Sequence, residues 1–160
     1  MNKIKYMVMD VDGTLTDGMI YMGPDGEVMQ AFNAKDGYAT VYMLPEAGIT
    51  PVIITGRVAA PLMQRCQQVH ITEVHRGVLD KTGKLREIVG SEDLSSVAYI
   101  GDDLNDLPCM QEIKRWGGVI GCPADACDEV LEVADFVSRH GGGKGAMREF
   151  TEYIIKSEDK

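Results

Sequence analysis

Short apolar runs alternate with longer segments of helical pattern along this 160-residue chain, and that alternation limits the folds open to it. Segments in this order form right-handed βαβ units around a mainly parallel sheet. We therefore predict an α/β fold, a doubly wound Rossmann-like sheet that forms one domain over residues 1–160. Strands are predicted at 4–9, 51–55, 73–75, 97–100, 119–120 and 136–137, and helices at 36–48, 58–70, 81–90, 103–114, 126–133 and 145–157.

Two short extended runs interrupt the alternation directly after the first strand. They cover residues 19–22 and 27–32 and flank the turn sequence Gly23-Pro-Asp-Gly26. Glycine, proline and aspartate between two extended runs are typical of a β-hairpin. We expect a hairpin inserted after strand 1.

The composition excludes some classes of partner. A net charge of −9 argues against nonspecific nucleic-acid binding, which needs clustered basic residues, although an anionic substrate can still bind where cations cluster locally. No run of about 18 apolar residues occurs, and the chain enters its first strand without a signal-like segment, so we expect a cytoplasmic protein with no membrane partner. The four cysteines form no Cys-x-x-Cys pair, which favours reduced, structural thiols.

Asp10 and Asp12 stand two residues apart where the first apolar run gives way to Gly13. Side chains alternate along a strand, so both carboxylates can project to one side at its carboxyl end. Open α/β sheets bind their ligands at that edge. Alone, the pattern also fits a polar turn after a buried strand.

Three later segments repeat this arrangement of a strand end followed by polar residues. Thr55 and Arg57 follow the second strand and can hold phosphate or carboxylate oxygens, or can simply be a helix cap and a solvated cation. Lys81 begins a helix and can neutralise a carboxylate beside a phosphate, or can be a surface lysine. The acids from Asp102 to Asp106 follow another strand and suit Mg²⁺, or the positive end of a helix dipole.

Taken in order, these segments resemble the four motifs of the haloacid dehalogenase superfamily of phosphotransferases. A closer resemblance is to its capless phosphatases of eight- and nine-carbon keto sugar acids, and it covers nearly the whole chain. The block from Asn33 to Tyr38 and the glycine-rich stretch from Gly142 to Ala146 carry that closer likeness. Departures occur at Val41, where the family often has a basic residue, and at Val69-His70, where it often has Leu-Gly.

The resemblance implies a role for each matching residue. Asp10 would be the nucleophile and Asp12 the general acid and base, with Thr55 and Lys81 holding the phosphoryl group. The Mg²⁺ ion would be held by Asp10, the Asp12 carbonyl and Asp102. The implied substrate-binding residues are Asp12, Asn33, Ala34, Lys35, Asp36, Gly37, Arg57, Arg65 and Lys81.

The resemblance also implies a substrate and an assembly. The substrate would be 3-deoxy-D-manno-octulosonate 8-phosphate, with a nine-carbon sialic-acid-type 9-phosphate (N-acylneuraminate 9-phosphate) as the alternative. The hairpins would pack into a homotetramer, and the Gly141–Gly145 segment of one chain would close over the Asp10 site of another, adding charge from Lys144 or Arg148.

Two interpretations that assign the chain to other functional classes stay open. Receiver domains of phosphorelay systems also combine acidic Mg²⁺ ligands, a phosphorylated Asp, a Thr and a Lys. Their adjacent acids precede the nucleophile, whereas the Asp102-Asp103 pair comes last here, an order that favours a hydrolase. A binding subunit that has kept the fold is the second reading, because a fold does not fix a function.

Overall fold

A six-stranded parallel sheet forms the centre of the computed structural model, which describes residues 3–90 and 93–158. The spatial order is β5-β4-β1-β6-β7-β8, and every neighbouring pair is parallel, which confirms the predicted doubly wound α/β fold. The strands are β1 (Tyr6–Met9), β4 (Thr50–Ile54), β5 (Glu73–His75), β6 (Val97–Ile100), β7 (Val119–Cys122) and β8 (Phe136–Val137).

The chain first builds one side of the sheet outward from β1 and then returns to build the other side from β6. Strand order therefore reverses around β1, and the loops that leave β1, β4 and β6 meet at one edge. Open α/β sheets bind ligands at such a switch point.

Helices cover both faces of the sheet. They are α1 (Ala34–Tyr38), which continues through a π-helical turn (Ala39–Met43) into α2 (Leu44–Glu46), then α3 (Ala60–Gln68), α4 (Lys81–Val89), α5 (Leu107–Arg115), α6 (Asp128–Val133) and α7 (Ala146–Glu158), with a 3₁₀ turn at Leu94–Ser96. Among the described residues, no helix is long and apolar enough to span a bilayer.

Alternation along the strands divides the core in two. Met7 and Met9 pack on the face covered by α7, whereas Val8 between them packs against α4 and α5. Phe150 of α7 and Leu85 of α4 are fully buried on opposite sides. Two covered faces explain why the strands read as continuous apolar runs.

Several helix boundaries differ from the sequence prediction, and the structure gives a reason for two of them. Helix α5 was expected from 103 but begins at Leu107, because the chain first turns around the side chain of Asp106, which accepts the N–H of Asp103 at 3.2 Å. Helix α3 was expected to reach 70 but ends at Gln68, and His70 adopts a left-handed φ of 58°. Glycine takes that conformation with less strain, so the departure from Leu-Gly affects how this helix ends.

The inserted hairpin consists of β2 (Tyr21–Gly23) and β3 (Gly26–Met29), which pair antiparallel in a two-stranded sheet of their own. The predicted hairpin is thus present with shorter strands. Its outer surface is apolar: Met19, Ile20, Met22, Val28 and Met29 are all exposed.

Candidate active site

The strand-end motifs converge on one cleft of about 400 Å³ at the carboxyl edge of the sheet. Asp10 and Asp12 follow β1, Thr55 to Arg57 follow β4, and Asp103 to Asn105 follow β6; all of them line this cleft. The expectation that these segments meet at one edge is therefore met by the fold.

Lys81 lies at the base of the site, between two carboxylates. It is the first residue of α4, whose N-cap Asp80 accepts the N–H of Gly83 at 2.9 Å. Its Nζ atom lies 2.7 Å from Asp10 Oδ1 and 2.7 Å from Asp106 Oδ1, and its side chain is 2% exposed. Burial lowers the pKa of Lys81 and is the largest single effect. The charges and hydrogen bonds of the two carboxylates together outweigh it, so the pKa of Lys81 is raised.

Asp106 holds the site together. Its Oδ1 atom accepts from Lys81 and, at 2.6 Å, from the hydroxyl of Tyr99, while Oδ2 accepts from the N–H groups of Asp102 (3.0 Å) and Asp103 (3.2 Å). The sequence analysis counted Asp106 among the acids but gave it no role of its own. Its position four residues after Asp102 can be seen in the sequence. Its hydrogen bond to Tyr99 cannot be predicted from the sequence.

Three carboxylates lie close enough to share a cation: oxygen atoms of Asp10, Asp102 and Asp106 are within 4.8 Å of one another. Burial, then the charge of Asp106, raises the pKa of Asp10 well above its usual range and that of Asp102 to about 6. A single ammonium leaves this cluster negatively charged, and such an oxygen-only donor set fits a hard divalent ion. Asp106 already accepts four bonds, so Asp10 and Asp102 have the freer oxygens.

The position of Asp102 depends on Gly13. The Thr14 hydroxyl donates to Asp102 Oδ1 at 3.0 Å, and Gly13 has a φ of 87°. A β-carbon on Gly13 would lie 2.0 Å from Asp102 Oδ2, which is a severe overlap. Because residue 13 is a glycine, the Asp102 carboxylate can occupy the space beside it.

The side chain of Asp12 is directed to the other side of the cleft. Its Oδ1 atom accepts from Arg57 Nη1 at 2.8 Å and from Gln30 Nε2 at 3.3 Å, and Arg57 also pairs with Glu27. Glu27 lies on the hairpin strand β3 and Gln30 follows it, and neither was predicted to reach the site. The Asp12 side chain is outside the three-carboxylate cluster, so its assignment as a metal ligand rests on its carbonyl and stays a prediction.

Only part of the predicted sugar-acid block lies near this cleft. Arg65 lines an adjoining cleft of about 510 Å³ together with Glu27 and Gln30, and its Nη2 atom donates to Asn33 O at 3.2 Å. Asn33 caps α1 by accepting the N–H of Lys35 at 2.8 Å. Ala34 and Lys35 are exposed and line neither of these two clefts, and Gly37 is buried beside Arg65.

Asp36 is buried at the start of α7. It is 4% exposed, its Oδ1 atom accepts the N–H of Arg148 at 2.9 Å, and its Oδ2 atom has no hydrogen-bond partner among the residues that the structure describes. The side chain thus caps the start of α7. Sequence likeness identifies a residue without giving the direction of its side chain, and the substrate contact of Asp36 stays a prediction.

The Gly141–Gly145 segment packs on the catalytic loop of its own chain. Gly143 donates its N–H to Thr14 O at 3.0 Å, and a β-carbon on Gly142 would lie 2.0 Å from Gly13 O. Lys144 is exposed, and Arg148 pairs with Glu152 at 2.7 Å. Within a single chain, this segment packs on the loop that follows Asp12, and its closure over a neighbouring site stays a prediction.

Comparison with models of known protein families gives no match. The relative from Yersinia pestis named 3-deoxy-D-manno-octulosonate 8-phosphate phosphatase KdsC is 40% identical over 159 residues, which cover 98% of this chain and 82% of the relative. The crystal structure of the phosphatase of that name from Moraxella catarrhalis, in complex with magnesium, phosphate and KDO, is 36% identical with a TM-score of 0.88, covering 96% of this chain and 87% of that one. A haloacid dehalogenase superfamily hydrolase structure from Legionella pneumophila is also 36% identical, with a TM-score of 0.86, covering 98% and 85%.

The buried carboxyl of Asp36 leads to a stability prediction. Burial raises its pKa to about 6, against the lowering effect of the Arg148 bond, so the folded state binds the proton more tightly than the unfolded state. Stability from this group is full at low pH and falls as pH rises between the two pKa values. Asp36→Asn keeps an oxygen for the Arg148 N–H and cannot ionise, so its unfolding free energy relative to wild type should rise by about 2 kcal/mol from pH 4.5 to 7.5.

Urea unfolding at several pH values measures this difference. Asp25→Asn removes an exposed carboxylate from the hairpin turn and is the matched control, with no comparable pH trend expected. A difference for Asp36→Asn that stays constant with pH would contradict the assignment.

Proposed function

The chain belongs to the 3-deoxy-D-manno-octulosonate 8-phosphate phosphatases of the haloacid dehalogenase superfamily and is a phosphoric monoester hydrolase; from this we propose that it hydrolyses 3-deoxy-D-manno-octulosonate 8-phosphate through an aspartyl-phosphate. The observation that carries the proposal is the buried Lys81 ammonium, 2.7 Å from Asp10, with Asp102 beside it. Attack by a carboxylate on a phosphate dianion needs positive charge at this point. Mg²⁺ is the cofactor, and when bound it supplies further charge neutralisation between nucleophile and phosphate.

In the first step Asp10 attacks phosphorus, and the bond from phosphorus to the sugar oxygen breaks. Lys81 donates to Asp10 Oδ1 at 2.7 Å and opposes the rise in the pKa of Asp10 that burial causes. Asp12 gives its proton to the departing sugar oxygen, a general-acid role. Arg57 and Gln30 hold Asp12 by its Oδ1 atom, which leaves Oδ2 to carry that proton.

In the second step water hydrolyses the acyl phosphate, and Asp12 accepts the proton of that water. The Thr55 hydroxyl would hold a phosphoryl oxygen during both steps. Its backbone is fixed by bonds to the loop after β5: the N–H donates to His75 O at 2.9 Å, and the carbonyl accepts from Val78 N at 3.0 Å. Tight fixation of such groups reduces the reorganisation required in the transition state.

The choice of substrate rests on the relatives and on two cations. Relatives across nearly the whole chain are named for the eight-carbon substrate, and one was crystallised with KDO. Arg57 and Arg65 supply cations beside the two clefts, which suits a carboxylate in the sugar. A nine-carbon sialic-acid-type 9-phosphate has the same keto-acid group and stays the alternative. The proposal includes a cytoplasmic step of lipopolysaccharide biosynthesis.

Phosphate release from a panel of sugar phosphates tests the function. The eight-carbon keto sugar acid phosphate should be turned over with the highest kcat/KM, ahead of the nine-carbon acid and of neutral sugar phosphates. Asp10→Asn should abolish release with the fold intact, and Asp12→Asn should slow it by roughly 10²–10⁴-fold. Near-normal release by freshly purified Asp10→Asn enzyme would rule out the nucleophile.

Metal exchange tests the cation site independently. Chelation should abolish activity and added Mg²⁺ should restore it, whereas Ca²⁺ should not, because its larger and more variable coordination shell misplaces the phosphate. Phosphate release is the readout, and full activity in excess chelator would contradict the site.

We further propose that the apolar hairpin surface joins subunits into a homotetramer. Five exposed apolar side chains lie on or directly before one small hairpin, and a second copy can cover them. Removing the chain from Gly141 onward is not a usable test, because Phe150 and Ile154 of α7 belong to the core. Sedimentation should instead give a tetramer for the wild type and a smaller species for Met22→Lys/Val28→Lys.

Leu79→Lys is the control for that experiment. Leu79 is 93% exposed and lies outside the hairpin, so this variant should stay assembled. A wild-type protein that sediments as a monomer would exclude the tetramer and leave the phosphatase chemistry unaffected.

A further inference from the structure

Two carboxylates of the same chain bind Arg57 through its Nη1 and Nη2 atoms. Nη1 lies 2.8 Å from Asp12 Oδ1 and 3.5 Å from Glu27 Oε1, and Nη2 pairs with Glu27 Oε2. Glu27 therefore binds the outer edge of the guanidinium with both of its oxygens. The side chain of Glu27 is 12% exposed and that of Arg57 is 38% exposed, so Glu27 lies on the inner side of the pair.

A substrate carboxylate that binds the end of the Arg57 guanidinium, through Nη1 and Nη2, needs the same edge. Planar guanidinium groups bind carboxylates in this paired geometry, and one edge accommodates one carboxylate. With Glu27 and Asp12 both bound, Arg57 has no net positive charge left to offer a further anion. An acidic sugar must displace Glu27 before it can make that contact.

The pair also lies where an extended substrate would pass. Arg57 lines the cleft that contains Asp10, and Glu27 lines the adjoining cleft that contains Arg65. The ion pair joins the wall of one cleft to the wall of the other. A sugar with its phosphate at Asp10 and its chain reaching toward Arg65 would meet this contact.

We propose that Glu27 is an internal competitor of the substrate. It occupies the position on Arg57 where the carboxylate of the substrate binds, and that carboxylate displaces it. The inference rests on the proposed function, because it requires a substrate that carries a carboxylate as well as a phosphate. Glu27 acts through Arg57 and not on the reacting atoms, so it determines specificity and is not a catalytic residue.

The exchange has a consequence after hydrolysis. The sugar acid product keeps its carboxylate and loses only its phosphate. Its affinity for the site therefore depends more on the contact with Arg57 than that of the substrate does. Glu27 competes for Arg57 at that stage and weakens product binding. A residue that costs some substrate affinity thereby favours release.

Glu27→Gln tests the proposal, since the amide keeps the size of the side chain and removes its charge. The probes are 3-deoxy-D-manno-octulosonate 8-phosphate, 4-nitrophenyl phosphate, which has no carboxylate, and the free eight-carbon sugar acid. Calorimetry of the Mg²⁺-loaded protein gives the dissociation constant of the free acid, and phosphate release gives kcat/KM for the two esters. Asp25→Asn removes one charge from the same hairpin, has an exposed side chain and is the matched control.

For Glu27→Gln, the dissociation constant of the free acid should fall roughly threefold to tenfold, as expected for loss of a partly exposed ionic competitor. The ratio of kcat/KM for the acidic ester to that for the aryl ester should rise by a similar factor. Asp25→Asn should change neither quantity.

Two results would overturn the proposal. The first is an unchanged or weaker affinity of Glu27→Gln for the free acid. The second is an equal loss of turnover on both esters, which would make Glu27 only a support for Asp12 through Arg57. If the wild-type protein releases phosphate from no keto sugar acid phosphate, the proposed function itself fails, and that outcome is distinct from both.

Discussion

The Lys81 ammonium between Asp10 and Asp106 is the interaction on which the site depends. Three ionised carboxylates within 4.8 Å of one another repel strongly, and positive charge among them offsets that repulsion. Lys81 supplies part of that charge, and the sheet supplies the geometry: Asp10 ends β1, Asp106 follows β6, and Lys81 begins α4. The strands therefore bring together groups that repel one another, and the charge that remains makes a cation site.

Strand-end motifs are predictable because their positions follow from periodicity. Asp10, Thr55 and Asp102 each come directly after or close to the end of an apolar run, and parallel strands place their carboxyl ends at one edge. Contacts that depend on side-chain direction are not predictable in this way. Asp36 turns inward and caps α7 by accepting the N–H of Arg148, which lies 112 residues away in the chain. No local sequence pattern predicts that contact.

The hairpin shows the same limit in another form. Glu27 of its second strand pairs with Arg57, the neighbouring Val28 stays exposed, and Gln30 beyond the strand donates to Asp12. The sequence indicates a hairpin from its turn residues, but which of its side chains meet the loop after β1 depends on how the hairpin folds over the sheet. One small element thus supplies polar contacts to the cleft and leaves several apolar side chains exposed.

The contact between the glycine-rich segment and the catalytic loop sets an order of events during synthesis. Gly143 binds Thr14 only after the ribosome has made all the strands of the sheet, because the segment follows β8 in the chain. A nascent chain that ends before this point already has Asp10, Lys81 and Asp102, yet the loop that holds Asp102 through Gly13 and Thr14 still lacks its support. Partial products of translation that end before this segment would therefore have the reactive groups without the segment that supports their geometry.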